Sequence, residues 1–149
     1  MGLKVNLEKT RVVKLHELGV GLHFLGYTFR YDRDRYDRAE YYLNLTPSRK
    51  SLQQVRDRLK AMTDARQCFT PIRQMMERIN GMLRGWQGYF SQGYPRQAYR
   101  DVDSYTLRRL RKHLSRRSQR AYKKPKGVPW WDHLQHLGWC PLQTRLAKP

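Results

Sequence analysis

Thr70 to Phe90 reads TPIRQMMERINGMLRGWQGYF, and its apolar residues Ile72, Met75, Met76, Ile79, Met82, Leu83, Trp86, Tyr89 and Phe90 recur at intervals of three and four. That is the period of one helix face, whereas a strand would alternate by two. The stretch is therefore predicted as a long amphipathic helix. Thr70 is expected to cap its first free N–H groups, with Pro71 at the first helical position, where a missing donor costs nothing. Burying side chains of this size gains roughly 1.5 to 3 kcal/mol each before chain entropy is subtracted. No other segment carries as much apolar surface, so the rest of the chain is expected to pack around this face.

Two further helices are predicted on either side of it. Thr46, Pro47 and Ser48 supply capping residues for a first helix whose stripe is Leu52, Val55, Leu59 and Met62 and which ends near Thr63. After a break at Gly93, Tyr94 and Pro95, a third helix runs to about Ser118 with Tyr99, Val102, Leu107, Leu110 and Leu114 on one side. Short connections between three amphipathic rods imply a bundle over residues 47–120.

Residues 1–46 read differently. The run from Thr10 to Leu15, the aromatic and β-branched HFLGYTF from His23 to Phe29, and EYYLNL from Glu40 to Leu45 are predicted strands, with Gly19 and Gly21 in a turn between the first two. Together they form an antiparallel ribbon, which is marginal in water unless something covers one face. Residues 121–149 form a basic, Trp-rich extension, in which VPWWDHLQHLGWCPL from Val128 to Leu142 is a short aromatic helix after Pro129. Its tryptophans suit a plug for the open end of the bundle. The predicted class is α+β, mostly α: a ribbon, a three-helix bundle and a short C-terminal helix.

Charge narrows the partner. There are 31 Lys and Arg against 12 Asp and Glu, a net +19 in 149 residues, so the molecule repels itself unless an anion is nearby. Arginine predominates, and its planar guanidinium grips phosphate through two hydrogen bonds and stacks on bases, for which ten Tyr and four Trp are further partners. Nucleic acid fits this better than a membrane surface, since no apolar run approaches a spanning length and Met1 to Asn6 is neither a secretory signal nor a myristoylation site. Cys68 and Cys140 form no CxxC pair, which fits a reducing cytoplasm.

At 100° per residue, Arg108, Lys112 and Arg116 line up one turn apart opposite Leu107, Leu110 and Leu114, with Arg109 beside them. Arg117, Arg120, Lys123, Lys124 and Lys126 follow, and no acidic residue lies between Tyr105 and Lys126. A merely solvated face would interleave both signs. This rail, with Arg84 on the central helix, is the candidate RNA-binding surface.

Two stretches carry a family resemblance. GLKVNLEKTRVVKL followed by HFLGYTFRY, Gly2 to Tyr31, resembles the end of the palm in group II intron reverse transcriptases, where the FLG turn forms the primer-grip hairpin. RINGMLRGWQGYF, Arg78 to Phe90, resembles the group II intron maturase-specific region, domain X, which corresponds to the polymerase thumb. The resemblance covers about Gly2 to Ser118. It implies RNA binding to structured group II intron RNA that assists splicing, and makes Phe24, Leu25 and Gly26 primer-grip-like. In the family, Mg²⁺ is held by paired aspartates in a Tyr-x-Asp-Asp turn together with an upstream aspartate. This chain has no Asp-Asp dipeptide. The expectation is therefore a maturase end or truncated frame that is not an enzyme on its own, with no catalytic residues and no cofactor, Mg²⁺ belonging to the polymerase half. A thumb that clamps a template–primer duplex within a longer polymerase is the second reading, and a general nucleic-acid-binding protein the third. The expected location is a prokaryotic cytoplasm, or an organelle.

Other constellations have plainer readings. Asp32, Asp34 and Asp37 in YDRDRYDR are flanked by arginines and lack a calcium loop's glycine and terminal glutamate, so they read as a polar hairpin tip. His133, His136 and Cys140 have a metal-like spacing, but a fourth ligand would have to be a water, or Cys68 or His113 brought in by the accident of the fold, so packing is expected. Gly85 and Gly88 cost roughly 1 kcal/mol each inside a helix. Close packing of another backbone at Trp86 is the expected reason, with RNA phosphate approach as the alternative.

Overall fold

The computed structural model describes residues 13–15, 17, 19–33 and 40–143. Three strands, β1 (Gly21–Phe24), β2 (Tyr27–Arg33) and β3 (Tyr41–Pro47), form an antiparallel sheet in sequence order, followed by α1 (Arg49–Met62), a 3₁₀ turn (Ala65–Gln67), α2 (Ile72–Tyr89), α3 (Arg96–Arg116) and α4 (Trp130–His136). The fold is α+β and mostly helical, as expected.

The ribbon differs in detail from its sequence reading. His23 to Phe29 is two strands folded back on each other, because Leu25 and Gly26 take positive φ values of 48° and 81° and make a two-residue hairpin turn. A side chain at Gly26 would in addition lie 2.9 Å from Ser51 Oγ and 3.3 Å from the Phe90 ring. Gly19 is in a turn, but Gly21 opens β1 opposite Arg30. Residues 13–15 are not strand, and the remainder of the predicted Thr10 to Leu15 strand lies outside the described residues. Asp32 is in β2, held by Arg30 and Asn44, while Asp34 and Asp37 lie outside the described residues.

The turn is bolted to the bundle. Gly26 O accepts from Ser48 N (2.8 Å) and Ser51 Oγ (2.9 Å), and Leu25 O accepts from Tyr89 Oη (2.8 Å). Tyr27 packs on Phe90 with ring centroids 4.9 Å apart. At the far edge, Tyr94 N donates to Leu45 O at 3.0 Å, and the backbone comes so close that a side chain on Gly93 would sit 2.5 Å from Leu45.

Ser48 caps α1 by accepting from Ser51 N at 3.2 Å. Thr70 does not cap α2. Its hydroxyl turns to Gln67 Oε1 at 3.1 Å, Pro71 occupies the cap position without a side-chain acceptor, and α2 begins at Ile72. The core joins Val55 and Leu59 of α1, Met75, Met76, Ile79 and Leu83 of α2, and Tyr99, Val102, Leu110 and Leu114 of α3. Leu134, Trp139 and Leu142 belong to the same core, so the stretch from Leu134 to Leu142 is stitched into the bundle.

Polar residues do the stitching. Asn80 Nδ2 donates to Gly138 O (2.7 Å) while its Oδ1 accepts from Cys140 N (2.9 Å). Asp103, buried on α3, accepts from Leu142 N (2.9 Å) and Gln143 N (3.0 Å). Burial raises the Asp103 carboxyl above its ordinary range, and the two N–H donors oppose that shift.

Candidate nucleic-acid interface

α3 presents its basic residues in two rows. Arg108, Lys112 and Arg116 are exposed, one turn apart, and Lys112 and Arg116 have no hydrogen-bond or ion-pair partner among the described residues. Arg108 lies over the Tyr105 ring at 5.8 Å. Arg116 is in the last turn, where the helix dipole favours a cation.

One residue further along, the second row faces protein. Arg109 donates through Nε to Thr63 Oγ1 (3.0 Å) and through Nη2 to Lys60 O (3.3 Å) and Thr63 O (3.4 Å), placing its charge at the C-terminus of α1, where the helix dipole favours a cation. His113 Nδ1 meets Thr63 O at 3.3 Å, and Arg117 Nη1 donates to Thr70 O at 2.7 Å. Of the residues grouped from sequence, Arg109 and Arg117 are thus tied to the 63–70 connection. A carbonyl only accepts, so His113 carries its proton on Nδ1, leaving Nε2 buried with no partner among the described residues. Burial lowers the His113 pKa, the Thr63 carbonyl opposes the shift, and Arg117 and Arg109 add to it.

The outward row is a ridge between two hollows. On one side Lys60, Thr63, Asp64, Arg109 and His113, with Lys112 and Arg116, enclose about 170 Å³. On the other, Arg108, Arg111, Lys112, Ser115, Arg116 and Trp130 border a shallow, open hollow of about 370 Å³. The basic side chains beyond α3 are less uniform. Arg120, Lys123 and Lys126 are exposed, whereas Lys124 Nζ donates to Val128 O and to Pro125 O (3.1 Å) and helps close the 124–128 turn. Arg84 is exposed on α2, where Nε lies 3.4 Å from Asn80 O, and lines neither hollow.

Phe24 and Leu25 project from the hairpin turn, 58% and 67% exposed, above the N-terminus of α1, and with Gly26, Arg49 and Lys50 they border a separate hollow of about 580 Å³. His133 Nε2 pairs with the Tyr122 hydroxyl at 2.6 Å and His136 Nδ1 with Asp132 O at 2.7 Å, while Cys140 is exposed, so the three are engaged separately. Burial lowers the His133 pKa, and Lys124 and His136 lower it further.

The sequence reading passed over Arg111 and Trp130. Arg111 sits three residues after Arg108 and one before Lys112, a spacing that places it beside the row. Nothing local marked Trp130 off from the other tryptophans. Gly85 and Gly88 correct a further expectation, since side chains placed there would meet nothing within 4 Å among the described residues, so no close backbone accounts for the two glycines.

A ribbon bolted to a basic helical bundle defines the architectural class. Residues 52–135, more than half the chain, match the family model described as group II intron, maturase-specific domain, and the chain belongs to that family. Its function is accordingly maturase-related. The match runs from α1 through most of α4, beyond the Ser118 limit of the sequence resemblance, as the shared core requires. No curated protein matches the chain. No helix among the described residues is long and apolar enough to cross a membrane.

Proposed function

We propose that the chain is an RNA-binding maturase module that holds the folded core of a group II intron during splicing and performs no bond chemistry of its own. One observation carries this reading: the Arg108, Lys112 and Arg116 row stands outward on a helix whose other face is locked in the core, with nothing acidic among Tyr105 to Lys126 to neutralise it. Rigidly spaced cations of this kind follow a phosphate backbone, and recognition then comes from RNA shape. Arg120, Lys123 and Lys126 extend the same field, and Arg84 contributes from α2.

Binding to a folded group II intron should exceed binding to random RNA of equal length. If about six phosphates are contacted, the log–log salt slope should be roughly −4 to −5, on the single-strand coefficient. Equal affinity for the two RNAs would transfer the chain to general nucleic-acid binding. A splicing assay with and without the purified chain at near-physiological salt tests the maturase role directly.

The hairpin turn supports a second reading. Ser48, Ser51 and Tyr89 hold it rigid while Phe24 and Leu25 stay exposed, which suits a thumb that works with a palm on a template–primer duplex. A coding segment with Tyr-x-Asp-Asp, in or out of frame upstream of the Met1 codon, would favour that reading.

A further inference from the structure

The tryptophans near the C-terminus are not alike. Trp139 is 1% exposed and packs edge-on against Trp131 at 4.9 Å, deep in the core. Trp130 is half-buried and lines the 370 Å³ hollow with Arg108, Arg111, Lys112, Ser115 and Arg116. It is also held still. The Tyr122 ring stacks with it at 6.1 Å and 28°, Tyr122 is pinned by its 2.6 Å bond to His133, and the Arg111 guanidinium lies over the indole at 5.1 Å.

Trp130 packs against the core, Tyr122 and His133 and also borders five polar and charged side chains, so an aromatic platform and cations share one hollow. The geometry points to a pocket for one unpaired nucleotide. Its base lies against the Trp130–Arg111 pair and its phosphate rests on Lys112 and Arg116. Ser115 Oγ gives its proton to Arg111 O (2.9 Å), so its lone pairs remain to accept from a base edge. The hollow is within the roughly 300–1,000 Å³ of small-molecule sites, large enough for a nucleoside. A duplex keeps its bases stacked inside, whereas a bulged or looped base can be splayed out onto an aromatic ring or a guanidinium plane. An acidic peptide would satisfy the cations but would not extend the Tyr122–Trp130–Arg111 stack.

This inference rests on the RNA-binding reading and adds to it a preference for unpaired bases. The test compares the full chain on a short RNA hairpin with a single bulged 2-aminopurine and on the same hairpin with an abasic residue at the bulge. The base should tighten binding about tenfold, from stacking of this kind, and its fluorescence should be quenched on binding. Because stacking releases no counterions, the ratio should persist as salt weakens both complexes. Trp130→Ala should bring the bulged RNA down to the abasic level, with Trp130→Phe restoring part of the gain. Equal binding of the two RNAs, an unquenched base, or displacement of the bulged RNA by polyglutamate as readily as by a single-stranded RNA would overturn the pocket. Failure of both hairpins to bind would overturn the RNA reading as well, whereas binding without a base effect would overturn the pocket alone.

Discussion

Two rows of basic residue types run along α3 one residue out of step, and the difference in what they face is the most instructive feature of the molecule. Arg109, His113 and Arg117 end on Lys60 O, Thr63 and Thr70 O, clamping α3 to the end of α1 and to the connection that leads into α2. Arg108, Lys112 and Arg116, rotated by 100°, end in solvent beside two hollows. Basic residue types at i, i+4 and i+8 thus serve as a protein clamp in one row and face outward in the other, where Arg108 lies over Tyr105, and the neighbouring helix decides which.

The largest effect should come from the outward row. Replacing Arg108, Lys112 and Arg116 together by Gln removes about three phosphate contacts, which should flatten the salt slope by about 2 and weaken RNA binding by tens of fold at physiological salt. The thermal unfolding midpoint should hardly move, since Lys112 and Arg116 have no partner to lose among the described residues. Unchanged affinity would remove the outward row from the interface.

The inward row should give the opposite pattern. Arg109→Gln with Arg117→Gln leaves carbonyls of Lys60, Thr63 and Thr70 without charged donors. Such bonds are worth about 1.5–3 kcal/mol each when buried, less at half-exposed sites, so a loss of about 1–3 kcal/mol is expected in urea denaturation. The salt slope of the remaining folded protein should be unaltered. If the double variant instead flattens the slope, the two rows act together on RNA and the distinction fails.

The outer face of α2 offers a milder contrast. Gly85→Ala places a methyl where nothing among the described residues lies within 4 Å. It should therefore stabilise the helix by about 0.5–1 kcal/mol. A gain in stability accompanied by weaker RNA binding would mean that the open glycine face receives an RNA backbone, whereas a gain with unchanged binding would leave the glycines without a role.

What could be read in advance follows from the range of the forces involved. The three main helices and the ribbon were legible because hydrophobic period and turn residues are local, and the α2 stripe from Met75 to Trp86 packs as its spacing requires, whereas Tyr89 of the same stripe stays exposed and donates to Leu25 O at the hairpin turn. The strand pattern alone did not mark the Leu25–Gly26 fold-back, which the family resemblance put at FLG, because the turn is fixed by Ser48, Ser51 and Tyr89, residues distant in sequence. Thr70 lost its capping role to a neighbour, Gln67, which no capping rule weighs. The basic character of α3 was plain, but which arginines stay outside depended on where α1 ends. Asp103 was missed because a lone carboxylate in a helix reads as surface, and its use lies about forty residues away at Leu142 and Gln143.

His113 supplies the smallest and most discriminating test, because it belongs to the clamp by geometry and to a titratable class by chemistry. Its Nδ1–H is engaged by Thr63 O, so a second proton would have to enter at Nε2, which is buried with no partner among the described residues. Burial, with the charges of Arg117 and Arg109, therefore holds its folded-state pKa below the ordinary value. A base whose pKa is lowered by folding binds more protons when unfolded, so stability falls as the medium is acidified. The contribution is whole above about pH 6.5, the unperturbed histidine value, and is lost as pH drops through the lower folded-state value. His133 is lowered as well, so the slope of midpoint against pH in the parent chain contains both residues. His113→Gln keeps a donor for Thr63 O but cannot titrate, and it should flatten that slope without abolishing it. Because the clamp faces protein, RNA affinity measured above pH 6.5 should not follow the substitution. An affinity change there, with the pH slope intact, would put His113 on the RNA side of α3 and reverse the assignment of the two rows.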